Sequence, residues 1–115
     1  MKIWSDAVAC KKLREALLKR DKKCVICGKR KEDGWVLQVS HFWGRRASAT
    51  RYDFENCDIF CAGCHMRWEE AKQGEYREWK LKQLGEEKYK ALEKRFYQKK
   101  TTRKEEIINL MKQLK

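Results

Sequence analysis

The sequence predicts a mostly helical α+β fold, and three observations lead to this prediction. Proline is absent and charged residues make up 40% of the chain, as expected for helices with long solvated faces. Five Trp, four Tyr and four Phe supply enough apolar mass for a core. Four of the six cysteines form two CxxC pairs, which indicate a compact centre. At 115 residues we expect a single domain, with a basic N-terminal helix (1–23), a four-cysteine core (24–70) and basic C-terminal helices (71–115).

The first helix is predicted from Ser5 to Lys23. Ser5 or Asp6 can cap its start, and its lysines and arginines take the face opposite an apolar one. That apolar face comprises Ala9, Leu13, Ala16 and Leu17. We expect this helix to pack against the cysteine centre and to present its basic groups outward.

Two short extended segments are predicted within the core. Residues 35–39 form a β-rich run that leads to His41, and residues 52–60 return as its partner or as an irregular arm. Gly44 and the stretch 47–50 break the chain into a loop between them. A helix then begins at or just after Cys64.

The C-terminal part of the chain is predicted to be helical throughout. Gly74 is a weak point where the helix after Cys64 bends or breaks, and Gly85 ends the segment that follows it. Another helix covers residues 89–96. A last helix opens at Thr102 with a capping-box pattern, and its apolar stripe either packs inward or forms the seam of a homodimer. That stripe comprises Ile107, Met111 and Leu114.

The net charge of +12 is concentrated on the two flanks of the chain. Residues 1–23 carry 8 basic and 3 acidic groups, residues 24–70 carry 7 of each, and residues 71–115 carry 14 and 7. Basic flanks around a neutral centre favour contact with a polyanion such as DNA, although solvated helix faces have the same composition. A membrane partner is not expected, because neither flank has a broad apolar face opposite its lysines. With no apolar run of about 20 residues and no secretion signal, we expect a cytoplasmic protein.

The two CxxC pairs predict a structural zinc site. CVIC contributes Cys24 and Cys27, CAGC contributes Cys61 and Cys64, and 33 residues separate the pairs. Two thiolate pairs on tight turns can close a tetrahedral zinc site. A redox CxxC is the alternative, but no βαβ pattern surrounds either pair.

The order of the remaining polar residues resembles a known enzyme family. Two cysteines, His41, Asn56, two more cysteines and His65 follow one another as in the HNH nucleases in their four-cysteine form. The stretch SHFWGRRASATRYDFEN, from Ser40 to Asn56, is similar to the phage NinG/Rap recombination proteins in its spacing. The resemblance covers roughly residues 22–115 and implies a ββα-metal (treble-clef) core.

That resemblance also implies roles for individual residues. His41 matches the general base, and a histidine's unperturbed pKa of about 6.5 suits that task near neutral pH. His65 falls where the fold holds a catalytic Mg²⁺ or Mn²⁺ ion, and Asn56 matches a brace for the His41 loop. The alternatives are a core histidine bonded to a backbone carbonyl for His41, a zinc ligand or plain helix-start residue for His65, and an ordinary turn residue for Asn56.

The resemblance is weakest at the second ligand of the catalytic ion. HNH nucleases usually have Asp just before the base, and here it is Ser40, whose hydroxyl is a poor ligand for a hard cation. Glu69 lies four residues after His65, so a continuous helix places both on one face. We therefore expect His65 to bind the ion, with Ser40 and Glu69 as further candidates. For Glu69 the solvated surface residue is the favoured alternative.

The loop between His41 and Asn56 contains three arginines suited to binding DNA. Arg45, Arg46 and Arg51 can make bidentate phosphate contacts, or they can be merely solvated. Trp43 either stacks on a base or belongs to the core.

The sequence therefore predicts a divalent-metal-dependent DNA endonuclease, and the NinG/Rap resemblance implies branched or recombination-intermediate phage DNA as the substrate. The first alternative is a non-catalytic zinc module that binds nucleic acid. The second is an interaction protein that recruits a partner through its terminal helices.

Overall fold

The computed structural model describes residues 2–44, 50–70, 73–97 and 101–115, without the side chains of residues 69, 70 and 73. In chain order the elements are α1 (Asp6–Asp21), β1 (Leu37–His41), β2 (Cys57–Cys61), α2 (Ala62–Glu70), α3 (Gln73–Leu84), α4 (Glu86–Phe96) and α5 (Arg103–Gln113). Over these ranges the fold is α+β and mostly helical, as predicted.

Helix α1 has the ends and the buried face that its sequence predicts. The Ser5 hydroxyl accepts a hydrogen bond from the backbone N–H of Val8, which satisfies one donor that the first turn leaves open. The helix ends where Lys22 adopts a left-handed conformation with φ of 60°. Its buried residues are Ala9, Leu13 and Leu17. These side chains pack against β2 and form one wall of the core.

Strands β1 and β2 form an antiparallel hairpin at the centre of the molecule. The pairing runs from Leu37 opposite Cys61 to His41 opposite Cys57. Strand β1 begins at Leu37, two residues later than predicted, and Trp35 and Val36 before it are exposed. Strand β2 is shorter than the predicted return segment 52–60, because a single turn of 3-10 helix at residues 54–56 precedes it.

Helix α2 begins at Ala62, directly after β2, so Cys64 lies inside its first turn. The prediction of a start at or after Cys64 was therefore late. Gly74 is the second residue of α3, and the helix that contains Cys64 is a separate element, α2, with residues 71 and 72 between the two outside the described ranges. Gly85 does end α3: its φ of 83° is one that glycine adopts without strain, and its N–H donates to the carbonyl of Leu81 at 2.8 Å.

Helix α5 packs into the core through its apolar stripe. The predicted capping box between Thr102 and Glu105 is present. Ile107 and Leu110 are buried, and Met111 and Leu114 pack partly buried against the same core, in which α5 contacts α1. The stripe of α5 therefore packs inward within the chain, which is one of the two predicted alternatives.

A buried acidic residue connects the hairpin to α3. Asp58 of β2 is completely buried and accepts hydrogen bonds from Lys80 at 2.9 Å, Gln83 at 2.9 Å and Tyr76 at 3.1 Å. Lys80 is itself only 1% exposed. A buried carboxylate requires such partners, because an unpaired charge in the core costs several kcal/mol. The network aligns α3 against the side of the hairpin that carries Ser40.

Candidate functional site

The four cysteines of the CxxC pairs form one cluster. Their sulfur atoms all lie within 4.8 Å of one another, and those of Cys27 and Cys61 are 3.7 Å apart. Four sulfurs bound tetrahedrally to zinc at about 2.3 Å would be about 3.8 Å apart. The chain folds around this point because Gly28, with φ of 80°, lets the N–H of Cys24 reach the carbonyl of Lys29. The cluster therefore fits the structural zinc ion that the sequence predicts.

The shifted pKa values of two of these thiols also favour a cation bound among the four sulfurs. Burial opposes ionisation of Cys24, but backbone hydrogen bonds from residues 27, 61 and 26 outweigh it and lower the pKa of this thiol to about 7. Burial raises the pKa of Cys64, and its contacts with the other three sulfurs raise it further. Four adjacent thiolates repel one another unless a dication lies between them, so zinc binding would release protons from this cluster.

The two histidines of the chain line one cavity of about 430 Å³. His41 enters it from the end of β1 and His65 from the first turn of α2. Helix α1 closes the opposite side with Cys10, Leu13 and Arg14. The residues predicted as base and as metal ligand therefore line the same cavity.

The ring of His41 is held by a backbone carbonyl. Its Nε2 lies 2.9 Å from the carbonyl oxygen of Arg51, and His41 is half-buried. Because a carbonyl oxygen only accepts, Nε2 carries the hydrogen, and Nδ1 carries the lone pair of the neutral ring. His41 thus makes the hydrogen bond to a backbone carbonyl that is expected of a core histidine. Its ring nevertheless lines a cavity and is not packed among apolar side chains.

The ring of His65 is oriented by Gln38. Its Nδ1 lies 2.7 Å from the side-chain carbonyl oxygen of Gln38, so Nδ1 donates and Nε2 carries the lone pair. An amide that orients a histidine in this way is a common support for a metal-binding imidazole. His65 is not part of the zinc cluster, in which the four grouped ligands are all cysteines.

Asn56 holds the segment that follows His41. It is completely buried, and its side-chain oxygen accepts the N–H of Trp43 at 2.8 Å. Its amide nitrogen donates to the carbonyls of Trp43 and Thr50, both at 3.0 Å. One side chain therefore ties together the two ends of the loop between β1 and the turn before β2. Its amide groups are all engaged with the backbone, as a brace requires.

Ser40 is not brought to this cavity. It is buried, and its hydroxyl lies 3.1 Å from the hydroxyl of Tyr76, within the network around Asp58. The expectation that Ser40 ligates the catalytic ion has no support in this position. The physical reason is that the hydroxyl of Tyr76 already donates to Asp58, so its oxygen is an acceptor for Ser40 inside the core.

Of the other predicted site residues, the structure describes Arg51 but not Arg45, Arg46 or the side chain of Glu69. Arg51 lines the cavity with the two histidines. Arg45 and Arg46 lie outside the described residues. Glu69 is in α2, one turn after His65, and its side chain is outside the described part.

Sequence reasoning missed two residues at the cavity, Arg14 and Gln38. Arg14 was expected to face solvent with the other basic groups of α1, yet it donates to the carbonyl of Leu37 at 2.8 Å and lines the cavity. The available signal for this inward position was that Arg14 lies at the border of the apolar face of α1, next to Leu13 and one turn before the buried Leu17. No signal in the sequence marked Gln38.

The cavity provides few ligands for a hard cation. Among the described residues that line it, none is a carboxylate, and the only group of three or more potential metal ligands in the described part of the chain is the cysteine cluster. An imidazole such as that of His65 suits zinc, copper, iron and nickel ions, whereas Mg²⁺ and Mn²⁺ prefer oxygen ligands. A second ion at this cavity therefore needs an oxygen ligand besides His65.

In comparisons with known proteins, no family model matched the chain, and neither a similar curated protein nor a similar solved structure was found. Over the ranges that the structure describes, no helix has both the length and the apolar character needed to cross a membrane. What the chain does must therefore be inferred from its own residues and their geometry.

Proposed function

We propose that the chain is a metal-dependent DNA endonuclease of the HNH type, built on a ββα-metal core that structural zinc holds together. The observation that carries this proposal is the cavity shared by His41 and His65, with His65 directly after Cys64 of the four-cysteine cluster. The order of these residues resembles the HNH motif, and more narrowly the phage NinG/Rap proteins. Branched or recombination-intermediate DNA is accordingly the proposed substrate, and the cytoplasm of a phage-infected host the proposed compartment.

His41 is the proposed general base. In the tautomer that the Arg51 carbonyl selects, Nδ1 can accept the proton of a water molecule that attacks phosphorus. The hydrogen bond at Nε2 fixes the orientation of the ring and stabilises the imidazolium that forms. A positioned base of this kind contributes about 10²- to 10⁴-fold to a reaction rate.

His65 is the proposed protein ligand for Mg²⁺ or Mn²⁺, with its Nε2 as the ligand atom. Gln38 supports this role because its bond to Nδ1 keeps the lone pair on Nε2. Glu69 is the proposed oxygen ligand, since it lies one helical turn further along α2. When bound, the ion supplies positive charge at the scissile phosphate and at the leaving oxygen.

Two arginines at the cavity suit a phosphate. Arg51 approaches from the segment after the loop, and Arg14 approaches from α1 with one N–H already fixed on the Leu37 carbonyl. A guanidinium held in place can bind phosphate oxygens without losing further side-chain entropy. The loop arginines Arg45 and Arg46 and the basic flanks would add sequence-independent contacts to the DNA backbone.

The test of this function is cleavage of branched and linear DNA by the zinc-loaded protein, with and without Mg²⁺ or Mn²⁺. His41→Ala should reduce the single-turnover rate by about 10²- to 10⁴-fold while DNA affinity stays unchanged. Val36→Ala, an exposed position just before β1, is the matched control and should cleave like the parent protein. Metal-dependent cleavage that His41→Ala leaves intact would exclude this mechanism.

A non-catalytic zinc module that binds nucleic acid is the second candidate. The observation that favours it is the absence of a carboxylate among the described residues of the cavity, together with the burial of Ser40. This candidate predicts salt-sensitive DNA binding with no metal-dependent cleavage of any substrate. Tight binding without cleavage in the same assay would establish it over the nuclease.

A further inference from the structure

A second cavity, of about 370 Å³, lies directly beside the histidine cavity. It is formed by the residues that follow His41 and by facing side chains of α3 and α4. Gly44 lines both cavities, so they adjoin across a single residue without a side chain. Any group in the second cavity would therefore be close to whatever occupies the first.

The second cavity has an aromatic wall. The rings of Trp43 and Phe96 stack at 4.1 Å with an angle of 14° between their planes. Tyr97 packs edgewise against both rings and is 71% exposed, so much of its ring remains open to a ligand. Trp43 therefore packs on Phe96 as part of this wall, with its side chain partly buried.

Two charged side chains give the cavity its hydrogen-bonding groups. Glu93 of α4 offers a carboxylate acceptor, and Arg77 of α3 offers a guanidinium donor. The indole nitrogen of Trp43 is buried, so a ligand in the open cavity does not contact it.

This combination fits a nucleobase better than a phosphate. A carboxylate repels phosphate oxygens, whereas the edge of a base presents both N–H donors and ring-nitrogen or carbonyl acceptors. The face of a base stacks on an aromatic side chain, whatever its sequence. A paired base within a duplex has its faces and its pairing edge already occupied.

We propose that this cavity binds one unpaired nucleobase next to the phosphate that is cut. The base stacks against Tyr97, and its edge meets Glu93 and Arg77. This inference rests on the proposed function, since it assumes that DNA binds at the adjoining histidine cavity. It explains physically how the chain would select a branch point or a displaced strand over an intact duplex.

The experiment measures DNA binding by zinc-loaded His41→Ala protein without added Mg²⁺ or Mn²⁺, so that nothing is cut. The probes are a forked DNA with 2-aminopurine as the unpaired base at the fork, the same fork with an abasic residue there, and the intact duplex. We expect the fork with the base to bind about five- to a hundred-fold more tightly than the abasic fork, with its fluorescence quenched by stacking.

Variants of the cavity complete the test. Tyr97→Ala removes the stacking ring and Arg77→Ala removes a donor to the base edge, so each should reduce the preference for the base over the abasic residue. Trp35→Ala changes an exposed aromatic residue that does not line this cavity, and it should leave the preference unchanged.

Equal affinity for the base and the abasic fork would overturn the inference, even if the parent protein cuts DNA. An equal loss of preference in Trp35→Ala would also overturn it. If the protein prefers the base but cuts no DNA, base binding at this cavity is supported and only the proposed nuclease function is contradicted.

Discussion

The two ends of the β1–β2 hairpin are held together by different means. At the Leu37–Cys61 end, four cysteines from two short motifs converge on one point suited to zinc. At the His41–Cys57 end, the buried side chains of Asn56 and Asp58 hold the chain through hydrogen bonds to distant residues. The first end has a closed ligand set, whereas an open cavity runs along β1 from Gln38 to His41 at the second. We therefore expect changes at the first end to affect folding most, and changes at the second to affect binding and chemistry.

Loss of a zinc ligand should have the largest effect. Structural zinc contributes about 10–16 kcal/mol in zinc-finger peptides, which is comparable with the whole stability of a typical domain, about 5–15 kcal/mol. Cys61→Ser should therefore abolish both zinc binding and cooperative unfolding, measured by metal content and by thermal denaturation. Cys10→Ser, a cysteine outside the cluster, is the control and should retain zinc. A Cys61→Ser protein that still unfolds cooperatively without zinc would contradict the expectation that zinc holds this end of the hairpin together.

The buried ion pair at the other end comes next. Lys80→Met removes the cation from a fully buried Asp58, and breaking such a pair costs about 3–5 kcal/mol in the free energy of unfolding. Urea denaturation measures this loss. The double variant Asp58→Asn, Lys80→Met leaves no unpaired buried charge and should recover part of it. If the single variant is as stable as the parent protein, the pair does not hold α3 to the hairpin.

Removal of the Asn56 side chain should have a smaller effect on stability than on activity. Asn56→Ala leaves the N–H and carbonyl of Trp43 and the carbonyl of Thr50 without their partner, which costs about 1–3 kcal/mol. Because the Arg51 carbonyl that holds His41 adjoins Thr50, the rate of DNA cleavage should fall by more than this loss of folding explains. Stability and single-turnover rates, both measured well below the melting temperature, separate the two effects. A rate that stays at the parent level would show that the brace does not position His41.

Gln38→Ala should weaken binding of the second ion with little effect on folding. Supports of a metal-binding histidine change metal affinity by about 10- to 100-fold when they are removed. Titration of Mn²⁺, with cleavage or metal-induced spectral change as the readout, gives the affinity. Gln38→Glu keeps an acceptor for Nδ1 of His65 and is the matched control. Equal Mn²⁺ affinities in all three proteins would argue against an ion on His65.

The smallest expected effect concerns acid stability near the cavity. The hydrogen bond from Tyr52 lowers the pKa of Asp6, and the positive charges of Arg103 and Arg51 contribute in the same direction. A carboxyl group with a lowered pKa stabilises the fold above its unfolded pKa of about 3.9, and that stabilisation is lost as pH falls through the folded value. Asp6→Asn should therefore be slightly less stable than the parent protein at neutral pH, and the difference should vanish in acid. Denaturant unfolding across this pH range measures it, and a difference unchanged in acid would contradict the assignment.

The parts of the molecule that were predicted correctly depend on neighbours in sequence. Ser5 caps α1 and Thr102 caps α5 through groups three residues away, and the CxxC spacing brings each cysteine pair onto one turn. Gly85 ends α3 by its own backbone conformation. Such interactions are complete within one turn of chain, so a linear pattern is enough to indicate them.

The parts that were missed depend on packing between distant segments. The hydroxyl of Ser40 is engaged by Tyr76 of α3, and Arg14 is turned inward by a carbonyl of β1. No spacing rule contains either contact, because each joins elements that are brought together by the hydrophobic core rather than by adjacency.

By itself, the amino-acid sequence determined the α+β class, the caps of the first and last helices, and the two thiol pairs that suit zinc. Only the tertiary structure decided that the two imidazoles share one cavity, that the residue before His41 is withdrawn into the core, and that an aromatic cavity adjoins the histidines. The physical reason is range: caps and metal knuckles are made by residues within a turn of one another, whereas a cavity exists only after α1, the hairpin and α2 have packed together.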